Sequence, residues 1–255
     1  MIPKRIFFTH EDKSKIMDDV LKEWKYHNPD FTFYFFNSEQ RVQFIKKHYP
    51  EFLHYYMSTN KQYGALRADI WRYLVIYHYG GVYIDHKVRI LKPISSTLDL
   101  NSEMCITYKG SKRSLYTKIK NFFANEELVQ YCFAAEKKSK HLKQVIDLML
   151  DRLKQQSYFV GKPCKYFLYP GTGNSGVYGV FYTTGPLMFT DALRGYFDSI
   201  KVYNDEFHGM IQYPLLKTCS LSKDSCWHYI ALHMSAKSYH FCRDKIFVEN
   251  QNVDV

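Results

Sequence analysis

No apolar run in the 255 residues approaches the roughly 20 consecutive residues that a bilayer-spanning helix needs. The opening Met1-Ile2-Pro3-Lys4-Arg5-Ile6 has neither the apolar core nor the small-residue cleavage site of a secretory leader. Glycine and proline are scarce, 12 and 8, which excludes collagen-like and loop-dominated architectures. Cysteines stand at 105, 132, 164, 219, 226 and 242, with no C-x-x-C pair and no Cys/His cluster of zinc-finger type. Six thiols without a leader read as reduced and buried, which implies a cytoplasmic compartment. Acidic residues are also in short supply, 25 against 35 Lys and Arg, for a formal net charge of +10. That excess suits polyanions: nucleic acid, an anionic membrane surface or a phosphorylated small molecule. The basic residues are scattered apart from short groups such as Lys137-Lys138. With no recognition-helix or RNP-type pattern, no nucleic-acid partner is expected.

What is present is an ordinary globular composition, 46% apolar and 24% charged, with 23 Tyr and 19 Phe that must mostly be core. No repeat or linker divides the chain, so one domain over 1–255 is expected. Ile6-Phe7-Phe8 reads as a buried strand, 14–26 as a helix with Ile16, Val20, Leu21 and Trp24 on one face, and 31–36 as a second strand. This βαβ opening is usual for nucleotide-binding α/β sheets. A helix over 38–48 follows, with Ser38 near a weak cap. Residues 64–79 show Leu66, Ile70, Tyr73, Leu74 and Tyr77 at helical spacing, predicting one buried face. Gly80-Gly81 ends that helix, and the strand 82–84 then delivers Asp85, His86 and Lys87 at its carboxyl end, where α/β sheets bind ligands. Residues 125–153 read as mainly helical and 187–193 as a further helix. Gly171-x-Gly173-x-x-Gly176 matches a phosphate-loop spacing but lacks a clear βαβ setting, so an acceptor-side loop is the better reading.

Asp69 and Arg72 lie three apart on the predicted helix and share a face. A carboxylate there can accept from sugar or ribose hydroxyls, and the guanidinium can neutralise a phosphate. An ordinary intrahelical ion pair would give the same spacing. The second carboxylate, Asp85, sixteen residues on at the end of a strand fed by the same helix, favours a site.

Ala68-Asp69-Ile70-Trp71-Arg72-Tyr73-Leu74 followed by Tyr79-Gly80-Gly81-Val82-Tyr83-Ile84-Asp85 resembles the DxD-containing sugar transferases of glycosyltransferase family 32, relatives of the glucosyltransferase domains of large clostridial toxins. Ile2-Pro3-Lys4, Asn28-Pro29-Asp30, Gln130-Tyr131-Cys132-Phe133, Thr184-Gly185-Pro186, and His233 with Ser238-Tyr239 resemble its other signatures. The resemblance implies a GT-A fold: a Rossmann-like α/β domain with a central mixed sheet flanked by helices, the nucleotide part near 1–95 and the acceptor side near 96–255. It also implies a nucleotide-diphosphate-sugar donor, a glycan or other hydroxyl acceptor, and transfer with retention. By resemblance, Asp69 holds donor-sugar hydroxyls and Arg72 sits by the sugar and phosphates. Asp85 reaches ribose and sugar, Gln130 touches the sugar, and Thr9 and His10 meet the base. His233, Ser238 and Tyr239 close over the diphosphate.

One position departs from the family. Its second Asp ligates the Mn2+ or Mg2+ that bridges the diphosphate, whereas here the triplet is Asp85-His86-Lys87. Strand alternation would put Lys87 on the side of Asp85, facing the diphosphate. Three readings follow. Lys87 replaces the metal; or an ion still binds through Asp85, His233 and the phosphates; or the site is degenerate and the protein binds nucleotide or glycan without turnover.

Overall fold

A computed structural model of the chain describes residues 1–15, 18–108, 127–155 and 176–213. The first strand, β1 (Arg5–Thr9), is an apolar run buried from Ile6 onward. It pairs in parallel with β2 (Thr32–Phe36) on one side and with β3 (Gly81–Ile84) on the other. β3 pairs antiparallel with β6 (Cys132–Ala135), Gly81 opposite Ala135 and Ile84 opposite Cys132. Beyond it lie β5 (Met104–Thr107) and β7 (Lys201–Tyr203), giving the order β2-β1-β3-β6-β5-β7. Two short strands, β4 (Arg89–Ile90) and β8 (Ile211–Gln212), form a separate ribbon.

The central strands are buried on both faces, which is why they read as unbroken apolar runs. Phe7, Tyr83, Phe133 and Ile106 point into one cluster, against α2 (Ser38–His48), α3 (Pro50–Ser58), α4 (Gly64–Tyr79), α6 (Lys140–Gln155) and α8 (Pro186–Leu193). Ile6, Phe8, Val82, Ile84 and Ala134 point into the other, with Trp24 of α1 (Asp18–His27). The sheet runs across residue 95, since β6 lies along β3.

Several expectations are corrected. The first helix, α1, spans Asp18–His27 after a single 3-10 turn at Lys13–Lys15, so it starts later than 14. Helix α2 is capped by Asn37, whose side chain accepts from the Gln40 amide while Gln40 returns the bond, a full capping box. Ser38 is the first helical residue, not the cap. Helix α4 is buried nearly all round, Trp71, Val75 and Ile76 included, because it lies between the sheet and the helices α2, α3 and α6. Within 125–153, Cys132–Ala135 is a strand and the helix begins only at Lys140. A four-residue apolar run buried on both faces has no period to betray it. Cys105 and Cys132 are free thiols; the other four cysteines and the Gly171–Gly173 loop lie outside the described residues.

Candidate functional site

Helix α4 carries Asp69 and Arg72, and Gly80 and Gly81 turn the chain from its end straight into β3. Gly80 has φ 69° and Gly81 φ 125°, conformations that a Cβ penalises. A Cβ on Gly81 would lie 2.7 Å from the Arg5 carbonyl, so glycine here also permits β3 to lie against β1. Tyr83 and Asp85 are then delivered beside the helix.

The three expected residues meet. Arg72 Nη2 lies 2.9 Å from Asp69 Oδ1 and 3.2 Å from Asp85 Oδ1. Its guanidinium sits over the Tyr83 ring at 4.6 Å, and the Tyr83 hydroxyl donates to Asp85 Oδ1. Arg72 Nη1 donates to the Gln130 carbonyl at 3.1 Å, while its Nε is buried with no acceptor among the described residues. Asp69 Oδ2 accepts from the Thr184 hydroxyl at 2.9 Å, and Gln130 also hydrogen-bonds Asp69. Gln130 Oε1 accepts from Tyr73. Asp69 and Arg72 are 1% and 4% exposed, whereas the Asp85 side chain is 24% exposed. Burial pushes the Asp69 carboxyl up to about 7, against the opposing pull of Arg72 and Thr184. The Arg72 guanidinium, flanked by Asp85 and Asp69, is held protonated more firmly than usual despite its burial.

Lys87 does not continue the strand. β3 ends at Ile84, and the Asp85 carbonyl accepts from the Val88 amide at 2.9 Å, closing a turn over 85–88. Strand alternation therefore does not set the direction of Lys87, although Lys87 still feels the Asp85 carboxylate; burial lowers its pKa and Asp85 opposes that. The turn is pinned from the far side by Trp24, whose Nε1 donates to the Val88 carbonyl at 2.7 Å. His10 reaches the same turn, its ring edge-on to His86 at 4.6 Å. The Thr9 hydroxyl donates to the Phe36 carbonyl at 2.6 Å and accepts from Arg41 at 3.1 Å. His233, Ser238 and Tyr239 lie outside the described residues.

Thr184, Tyr73, Tyr83 and Tyr131 complete the cluster and were not expected in it. Tyr83 carried a signal, standing two residues before Asp85 and so on its side of the strand. Thr184 belonged to a family signature without an assigned role. Tyr73 looked like an ordinary core ring.

Residues 14–106 match the family described as glycosyltransferase sugar-binding region containing DXD motif, although Lys87 replaces its second Asp. The mannosyl phosphorylinositol ceramide synthase of Saccharomyces cerevisiae is 36% identical over 92 residues, 33% of this chain and 22% of that protein. The initiation-specific alpha-1,6-mannosyltransferase of Candida albicans is 28% identical over 198 residues, 69% of this chain and 47% of that protein. This chain thus spans less than half the length of either relative. The solved structure of the PaToxG glycosyltransferase superposes with a TM-score of 0.52 at 17% identity, covering 77% of this chain and 70% of that one. The fold is accordingly that of the GT-A glycosyltransferases, and residues 14–106 are similar to the DXD-containing glycosyltransferase sugar-binding region.

Proposed function

We propose that the chain transfers a sugar, with retention, from a nucleotide-diphosphate sugar to a glycan or other hydroxyl acceptor. The observation that carries this reading is the buried Asp69–Arg72–Asp85 cluster at the carboxyl end of β3, inside the matched sugar-binding region. Asp69 accepts from donor-sugar hydroxyls, with Gln130 beside it. Asp85 takes ribose and sugar hydroxyls from its exposed side. As the glycosidic bond breaks, negative charge grows on the leaving diphosphate, and a fixed cation in a dry site lowers that barrier. Arg72 is such a cation, and its buried Nε has no acceptor among the described residues. Thr9 and His10 are assigned to the base, and His233, Ser238 and Tyr239 to the diphosphate. The protein works in the cytoplasm.

Mn2+ or Mg2+ is the ion that the family motif implies. Such hard ions take several oxygen ligands. The described site offers two carboxylates, both already paired with Arg72, and an ammonium at the second motif position. Among the described residues, no three His, Cys, Asp or Glu gather to hold an ion. The ammonium at position 87 cannot ligate an ion, and Lys87 supplying part of that charge is the reading that the described donor set supports.

A thermal-shift screen of nucleotide sugars, with Mn2+ and with chelator, followed by turnover assays, tests the proposal. Turnover is expected to persist in chelator and to fall in Lys87→Ala, with Lys87→Asp acquiring a divalent-ion requirement. Loss of turnover in chelator, restored by Mn2+, would sink the Lys87 reading in favour of Asp85 with His233. The same substitution at position 87 favours a second reading, a binding protein without turnover; a donor that raises the melting temperature yet is never consumed would establish it.

A further inference from the structure

The groups that hold Arg72 and Asp85 lie side by side just ahead of β6. Gln130 accepts from Arg72 Nη1 through its backbone carbonyl, and Tyr131 accepts from the Asp85 amide through its own, at 2.8 Å. Two neighbouring carbonyls thus set the spacing between guanidinium and carboxylate. A carbonyl aims only as well as the chain carrying it is held. The Tyr131 ring packs on Tyr213, centroids 4.8 Å apart, and its hydroxyl donates to Glu206 Oε1 at 2.8 Å. Burial and the Glu206 carboxylate keep this phenol well above its ordinary pKa, so it remains a donor. Glu206 itself is 2% exposed, and the proposed transfer chemistry makes no use of it.

The backbone beneath Glu206 is unusual. Asp205, Glu206, Phe207 and His208 have φ of 49°, 54°, 58° and 54°, followed by Gly209 at 73°. Left-handed backbone crowds a Cβ against the following carbonyl, and residues other than glycine visit it singly, not in runs. Such a run persists only where its surroundings over-determine it. Here the Phe207 amide donates to Thr107 Oγ1 at 2.9 Å, and the Glu206 amide to the Tyr108 carbonyl at 3.2 Å. Lys92 Nζ donates to the His208 carbonyl at 2.7 Å. The turn delivers one buried carboxylate to one phenol.

We infer that Glu206, acting through Tyr131, is a positioning residue that tethers Asp85 and Arg72 in register. Strained backbone is kept where a site needs it, and this tether is what the turn supplies. The kinetic consequence rests on the transfer reading; the structural consequence does not.

The test compares the unmodified full chain with Tyr131→Phe, Glu206→Ala and Glu206→Gln. Native-state hydrogen exchange reads the Asp85 amide without any donor. Tyr131→Phe and Glu206→Ala are expected to speed exchange at Asp85 by at least about tenfold while the amides of β1 stay within about twofold. Glu206→Gln keeps an acceptor oxygen and is expected to rescue the protection. For transfer or donor hydrolysis, Tyr131→Phe is expected to lower kcat about tenfold with KM within about twofold. Unchanged Asp85 exchange in Tyr131→Phe overturns the inference whatever the activity, as does a uniform rise that includes β1. A chain that consumes no nucleotide sugar yet shows the selective rise at Asp85 overturns the transfer reading and leaves the tether standing.

Discussion

At Asp69 desolvation outweighs an ion pair, and the carboxyl titrates near 7 instead of the usual 3.8. The folded protein therefore binds this proton more tightly than the unfolded chain. The stability this group contributes is full below about 3.8 and is lost as pH rises through about 7. Urea midpoints of the unmodified protein should fall relative to Asp69→Asn between about pH 4 and pH 7; parallel profiles would assign the titration elsewhere. The other two members of the cluster differ in burial and so in what their loss does. Arg72→Ala removes the cation that opposes the desolvation of Asp69, so the carboxyl is left buried and protonated while Asp85 loses its partner, which should cost about 1–3 kcal/mol of stability as well as turnover. Asp85 is partly exposed, so Asp85→Asn should stay within about 1 kcal/mol of the parent in stability. Its turnover should nevertheless fall at least tenfold, about 1.4 kcal/mol of lost transition-state stabilisation. Denaturation and turnover measured on one preparation separate the two effects, and full turnover in Asp85→Asn would remove that residue from the site.

At the scale of elements, the junction of α4 and β3 is where local sequence and function are most tightly joined. Gly80 combines φ 69° with ψ 163°, backbone open essentially to glycine alone. A Cβ there would stand 2.7 Å from the Lys137 amide nitrogen. Gly81→Ala forces a Cβ against the Arg5 carbonyl and should lose more than about 2 kcal/mol, read as a urea midpoint; a variant as stable as the parent would mean that β3 can shift along β1. This junction was legible because a helix period, two glycines and a short apolar strand are all local signals. The cap of α2 lies one residue before Ser38, at Asn37, where Asn37 and Gln40 carry the capping-box pattern. Strand β6 was missed because burial on both faces erases alternation. The turn over 85–88 was missed because nothing local marks where pairing with β1 and β6 stops.

Across the whole molecule, a second titrating pair opposes Asp69. His48 at the end of α2 and His78 near the end of α4 have ring centroids 4.2 Å apart, with Phe44, Tyr49, Lys47, Lys137 and Lys138 around them. Burial first, then neighbouring cations, lowers both from the ordinary 6.5. The folded protein thus prefers both rings neutral. Stability present above 6.5 is lost as pH falls through the lower folded values. Thermal melts from about pH 7.5 down to pH 5 should show a smaller loss in His78→Gln than in the parent, while equal losses would place the acid sensitivity outside this pair.

The stretch from Gly64 to Lys87 was enough, unaided, to establish a helix feeding a strand with Asp69, Arg72 and Asp85 near one end, since each step rests on contacts only a few residues apart in the chain. The departure at Lys87 was equally visible, being a matter of residue identity. What needed the tertiary structure was the closing of the cluster: Thr184 reaches Asp69 across 115 residues, and Glu206 reaches Tyr131 across 75. No local preference encodes such meetings, and the left-handed run at Asp205–Gly209 opposes local preference outright. Charge states were decided there too. The position of Asp69 in the chain says only that it is a carboxylic acid, whereas its titration near 7 follows from complete desolvation by elements drawn from the whole chain.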